Sequence, residues 1–312
     1  MDTVAGGDPV QAPAERPGLP ARVWETAWKI VLYVVLFAAF AIIGAKLTRG
    51  GSFGSVSWTG ITVSLLAALL AGWVMLIGVE RRPVGALGFA LGPAAPREAV
   101  AGIGIGGGLI AAAVVLIALT GAAHWIPDDG TVPGYVETLA GGLAFFTLAA
   151  ALEEVLFRGY PFQVLVRGIG AWPATLLASA LFAAMHAANP NVRPLGLWNI
   201  FLAGILLSAA YLRTRSLWFA TAVHLGWNWT MSSLFDFPVS GLQLDTPLYT
   251  AVETGADWWT GGSFGPEAGL AATVVLVAGT AWLLRTPRLR PSDEVRALGP
   301  LVDVPWTREP AA

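Results

Sequence analysis

Apolar stretches of about 20 residues recur along this chain, and most of its charges, prolines and glycines gather in the segments between them. Helices of that length can cross the hydrocarbon layer of a bilayer. The pattern therefore predicts an all-α fold: a polytopic membrane helical bundle of about eight transmembrane helices. Their expected positions are about 24–45, 58–79, 99–121, 138–166, 172–189, 195–212, 217–235 and 267–285. The fourth stretch is too long for one straight crossing. It contains Pro161, which removes a helix hydrogen bond, so a kink or tilt is expected there. Residues 1–22, rich in Pro, Ala and Gly, read as a disordered cytoplasmic tail. The membrane domain then spans 23–285, and 286–312 form a cytoplasmic C-terminal tail.

Composition agrees with a membrane location. The chain is 55% hydrophobic and 12% charged, with a mean hydropathy of +0.66, whereas soluble domains carry about 25% charged residues. No basic run or aromatic–basic interleaving supports nucleic-acid binding. The absence of cysteine excludes disulfides, thiolate nucleophiles and cysteine metal sites. Arginine greatly outnumbers lysine, as in proteins from GC-rich bacterial genomes.

Loop charge predicts the orientation. The connections over 124–137 and 236–266 contain neither Lys nor Arg but hold Asp128, Asp129, Glu137, Asp236, Asp245, Glu253 and Asp257. The opposite side collects Arg16, Arg22, Arg81, Arg82, Arg97, Arg167, Arg213, Arg215, Arg285, Arg288 and Arg290. Lys46, Arg49 and Arg193 are the exceptions. By the positive-inside rule both termini are cytoplasmic in a multi-pass protein of the cell membrane. The run from Gly102 to Gly107 has the form G-x-G-x-x-G, but it lies inside an apolar stretch with no strand before it. It reads as close helix packing through Gly104 and Gly108.

Chemistry concentrates in three places. The fourth stretch carries Glu153 and Glu154 side by side, with Arg158 four residues after Glu154. Carboxylates at bilayer depth are costly and usually mark a site that uses them. The i, i+4 spacing pairs Glu154 with Arg158, leaving Glu153, about 100° away around the helix, free to act on a water. The fifth stretch carries Phe182 and His186, and places His186 well inside its helix. The seventh carries His224 and Asn228 on one helical face. Glu153 and His186 are equally far in sequence from the turn at Gly168–Ala171, so an antiparallel hairpin would bring them to the same depth. His224, only seven residues past the start of its stretch, is expected nearer the cytoplasmic face.

Glu153-Glu154-x-x-x-Arg158, Phe182-x-x-x-His186 and His224-x-x-x-Asn228, in this order on separate spans, resemble the CPBP family. Its members are the CAAX prenyl endopeptidases and the bacteriocin-processing or immunity proteins, also called Abi proteins. The resemblance covers about residues 138–235 and implies an intramembrane glutamate- or metal-dependent endopeptidase. It acts on a membrane-embedded protein or peptide within the lipid bilayer. Carried over, Glu153 activates the water, His186 positions it, and His224 and Asn228 stabilise the oxyanion or complete the site. Glu154 and Arg158 support them, with Phe182 beside His186. A zinc ion held by Glu153, His186 and His224, or a water alone, would both suit that set. Two other readings use the same residues. One is a non-catalytic immunity or regulatory protein that binds a partner. The other is a transporter relaying protons through buried Glu and His, against which the absence of an internal repeat counts.

Overall fold

A computed structural model describes residues 18–48, 57–244, 246–299 and 301–302. Residues 1–17 and 303–312 of the two expected tails lie outside the described residues, as do Arg16, Arg49 and Asp245 of the loop-charge pattern.

The chain is a helical membrane bundle. In order it forms α1 (Leu19–Leu47), α2 (Trp58–Val74), α3 (Ala94–Leu119), β1 (Ala123–Pro127), α4 (Val132–Arg158), α5 (Tyr160–Ile169) and α6 (Ala171–Met185). Then come α7 (Pro194–Thr214), α8 (Leu217–Trp229), β2 (Tyr249–Glu253), α9 (Asp257–Thr260), α10 (Leu270–Arg285) and α11 (Asp293–Ala297). Two helices end in a π-helical turn: Met75–Glu80 after α2 and Thr230–Leu234 after α8. Among the described residues, five helices are long and apolar enough to cross a membrane, and α6 and α10 are shorter apolar helices.

The tails are more ordered at their inner ends than composition suggests. α1 already includes Leu19–Arg22, because Pro20 is tolerated in the first helical turn. After α10, α11 is capped by the Ser292 hydroxyl, and Val295, Leu301 and Val302 are buried.

The long fourth stretch is broken rather than kinked. α4 stops at Arg158 and α5 restarts at Tyr160, with Pro161 in its first turn, where its missing N–H costs nothing. The break falls on Gly159, where a Cβ would overlap the Val155 carbonyl oxygen. α5 is tied down at its far end, where Arg167 Nη1 donates to Glu80 Oε2 at 3.0 Å and Lys29 lies 2.9 Å from Glu80 Oε1. That ion cluster joins α1, α2 and α5.

The connections that lack Lys and Arg meet at one end of the bundle. β1 and β2, one from each, pair antiparallel with Ala123 opposite Glu253 and Pro127 opposite Tyr249. Arg193, an exception to the charge pattern, lies there too, 2.7 Å from Asp257. An acid within ion-pair reach accounts for a cation on the acidic side.

Helix α3 crosses α8 at very close range, through other glycines than expected. Gly104 and Gly108 face open space. Gly102, Gly106 and Gly107 face α8: a Cβ on Gly102 would come 2.6 Å from Ala222 Cβ, and one on Gly106 would overlap the Val223 carbonyl oxygen. From α8, Gly226 abuts Ile103 in the same way. The spacing of four was right, but which face meets a neighbour is decided by the partner helix, a long-range fact. This seam fixes the backbone on both sides of His224. Overpacking a close contact costs about 1–3 kcal/mol or more. Gly106→Ala is therefore expected to lower the melting temperature of the detergent-solubilised protein clearly, and Gly104→Ala to leave it nearly unchanged. Equal losses from both would contradict the seam.

Candidate active site

The site is built around Arg158, whose side chain is fully buried. A guanidinium at that depth needs its donors satisfied and its charge balanced. Its Nη1 donates to Glu154 Oε1 at 3.1 Å, and its Nη2 donates to the carbonyl of Gly204 on α7 at 2.9 Å. Its guanidinium carbon sits 4.8 Å from the ring centroid of Phe182, within cation–π range. The pairing of Glu154 with Arg158, read from i, i+4 spacing, is present.

The same oxygen of Glu154 has a second partner. His224 Nδ1 lies 2.9 Å from Glu154 Oε1. His186 makes the analogous bond within its own helix, with Nδ1 2.8 Å from the carbonyl of Phe182. A carbonyl or an ionised carboxylate can only accept, so Nδ1 of each ring carries the proton. In the neutral rings, Nε2 of both histidines is then an acceptor. Both point at one atom: Glu153 Oε2 is 3.9 Å from His186 Nε2 and 3.8 Å from His224 Nε2. That oxygen is buried and has no hydrogen-bond partner among the described residues.

Helix ends place these groups. His186 is the C-cap of α6 rather than a residue well inside it. Pro190 prevents the helix from continuing, and the Nδ1 bond satisfies one of the carbonyls left open at the helix end. Phe182 packs between Arg158 and the two imidazoles, with ring centroids 4.7 Å from His186 and 6.1 Å from His224. The expected depth difference between His224 and His186 is absent. α8 starts inside the bundle: Ser216 and Leu217 are fully buried, and Leu217 N–H donates to the carbonyl of Gly88 at 2.8 Å. Position counted from a submerged helix start does not measure depth from the membrane surface.

Glu153, Phe182, His186, His224 and Asn228 all line one cavity of about 850 Å³. Most of its remaining wall is apolar, including Trp58, Phe145, Leu156 and Leu207. Glu154 and Arg158 stand behind it, so the paired charges support the wall while Glu153 and the histidines present their free atoms.

Residues 133–230 match a protein family described as Rce1-like, type II CAAX prenyl endopeptidase. Over those residues, about a third of the chain, it is similar to this family, which supports a CPBP-type intramembrane protease core. No curated protein matches the chain. The matched stretch runs from the first turn of α4 to the residue after α8 and contains all seven residues of the three motifs. The similarity supports reading this segment as the core of a membrane protease, a hydrolase.

Zinc was one of two ways to complete the CPBP site. Two ligand atoms about 2.05 Å from a tetrahedral zinc lie about 3.3 Å apart. The spacings of 3.8 and 3.9 Å from Glu153 are wider. Among the described residues no group of three or more His, Cys, Asp or Glu side chains is arranged to hold a metal ion. As placed, the residues do not fit zinc. They do fit a water: an oxygen about 2.8 Å from each of two acceptors 3.8 Å apart makes ordinary hydrogen bonds.

One cavity-lining acid escaped sequence reasoning. Glu267, just before α10, is 8% exposed and lines the same cavity. Its only local signal is an acid between two glycines at the edge of an apolar stretch, which is common in ordinary loops.

Removing one partner of a buried pair leaves the other charge uncompensated and costs about 3–5 kcal/mol. Arg158→Ala is expected to destabilise the solubilised protein by that amount in denaturant unfolding. Arg193→Ala, which breaks an exposed pair, should cost less than about 1 kcal/mol. Similar losses from the two would show that Arg158 is not holding the core.

Proposed function

We propose that this chain is an intramembrane endopeptidase in which Glu153 activates a water for attack on a peptide bond of a membrane-associated protein or peptide. The observation that carries the reading is the convergence of three acceptors. His186 Nε2 and His224 Nε2 each face Glu153 Oε2 across a gap too long for a direct hydrogen bond and suited to a shared water. The water donates to Glu153 and to one imidazole, which orients its lone pair toward the substrate carbonyl.

In the first step Glu153 takes the proton as the water oxygen adds to the carbonyl carbon. The developing oxyanion needs donors, and the Asn228 amide on the same cavity wall can supply one. The proton then passes from Glu153 to the leaving amine as the C–N bond breaks, which restores the carboxylate. His224 keeps its orientation through Glu154, whose charge is balanced by Arg158. His186 keeps its own through the Phe182 carbonyl.

The matched family is described as a type II CAAX prenyl endopeptidase. The apolar cavity suits a lipid-modified or transmembrane peptide equally, so the substrate class proposed here is a membrane-anchored chain. The proposed orientation has both termini in the cytoplasm. The charge asymmetry supports this, since the two connections without Lys or Arg lie together at the end of the bundle held by β1 and β2.

General-base catalysis contributes about 10²–10⁴-fold, so Glu153→Gln is expected to reduce release of substrate peptides from membranes by at least that factor at unchanged protein level. Mass spectrometry of peptides released in cells carrying either form reads the outcome. Unchanged release would sink the protease reading in favour of a non-catalytic regulator. For the metal question, purified protein is expected to hold far less than one zinc per chain and to keep its activity in chelator. Stoichiometric zinc, with activity lost on its removal, would overturn the water-only site.

A further inference from the structure

Glu267 lies outside the segment that matches the protease family, yet it reaches the same cavity. Its Oε1 accepts from Ser240 twice, from the backbone N–H at 2.7 Å and from the hydroxyl at 2.6 Å. Glu267 is itself clamped. Asn199 on α7, 1% exposed, donates to the carbonyls of Glu267 and Gly269, each at 2.8 Å, and accepts from the Thr273 hydroxyl at 2.7 Å.

Ser240 belongs to a tight turn in which Val239 and Leu242 exchange backbone hydrogen bonds of 2.9 Å. Its φ is +49°, a left-handed conformation that a serine adopts only when its surroundings hold it there. Glu267 holds it on one side. On the other, Asn189 donates to the Ser240 carbonyl at 3.2 Å, and Asn189 N–H in turn donates to the His186 carbonyl at 3.1 Å. One chain of bonds thus runs from α7 and Glu267 through Ser240 to the segment that carries His186. The turn is also cavity wall: Val239, Ser240, Leu242, Gln243 and Leu244 all line it.

We propose that Glu267 is a positioning residue for the substrate: by fixing the 239–244 turn through Ser240, it sets which peptide bond lies beside Glu153. The inference rests on the protease reading. A catalytic segment supplies the water and its base, and a carboxylate from the last membrane helix's entry turn supplies the register. Loss of the Glu267 bonds lets Ser240 leave its strained conformation. The wall then shifts, while the Nδ1 bonds that orient His186 and His224 do not involve Glu267 or Ser240.

The test maps cut positions in peptides released from membranes containing the full chain, as native protein or with Glu153→Gln, Glu267→Ala, Glu267→Gln or Ser240→Ala. Glu267→Ala is expected to lower release at the native position by about 10- to 100-fold, the cost of a misplacement near 1 Å, and to yield new cuts one or more residues away. Ser240→Ala should move the cut in the same direction. Glu267→Gln, which keeps an acceptor oxygen for Ser240, should move it less than Glu267→Ala. A purely structural role would reduce all products together without moving the cut. Native cut positions in native proportions from Ser240→Ala and from whichever Glu267 variants accumulate would overturn the inference alone. Absence of any Glu153-dependent release would show that the protease reading itself is wrong, and the inference would fall with it.

Discussion

A guanidinium with no solvent exposure stands at the centre of this bundle, and its charge must be neutralised where it sits. Glu154 does so at 3.1 Å, with the Gly204 carbonyl and the Phe182 ring beside it, while the Arg158 Nε finds no partner among the described residues. Such a pair is weak evidence for stability in itself, because desolvation offsets most of the attraction. Its consequence is positional. Since Glu154 must face Arg158, it presents the same oxygen to His224, and the neighbouring Glu153 is turned into the cavity. Helices α4, α6, α7 and α8 all contribute to this one cluster. A shift in any of them would strand a charge.

The α3–α8 seam does for the backbone what Arg158 does for the charges. Glycines on both helices let the two axes approach until carbonyl oxygens occupy the space that Cβ atoms would need. Without a hydrophobic driving force between helices in lipid, such close packing is a main source of association. Here it also packs α8 into the bundle, so that His224 meets Glu153 from a helix whose first residue is already buried in protein. The depth of His224 is therefore set by α3, an element outside the matched protease segment.

What could be read from residue order follows the range of the interaction. The Glu154–Arg158 pair is local, and i, i+4 spacing suffices to find it. The meeting of Glu153 and His186 follows from symmetry about a short turn, and survives the unforeseen break at Gly159 because α5 still returns the chain to α6. Each of the eight apolar stretches contains helix, as a backbone in lipid requires, but among the described residues only five helices are long and apolar enough to cross a membrane. The bond from His224 to Glu154 crosses 70 residues and depends on where α8 begins in space. The glycine face of α3 depends on which neighbour approaches. Glu267 needs both its partner turn and the cavity to be known before it looks different from a loop acid.

The two histidines share a design that bears on what they hold. In each, Nδ1 is committed to an oxygen behind the ring and Nε2 is left toward Glu153. Metal ligands are commonly oriented by such bonds, and so are imidazoles that accept from a water. Orientation alone does not separate the two; the spacing as placed is the wider one that the proposed water uses. Moving Glu153 Oε2 about 0.5 Å toward each Nε2 would be required to close a tetrahedral zinc site. His224 is held by Glu154 and His186 by the end of α6, so any such closure would fall to the Glu153 side chain. A water needs no such closure. In the proposed mechanism the wider spacing serves a nucleophile held by hydrogen bonds, with Glu153 moving only a proton.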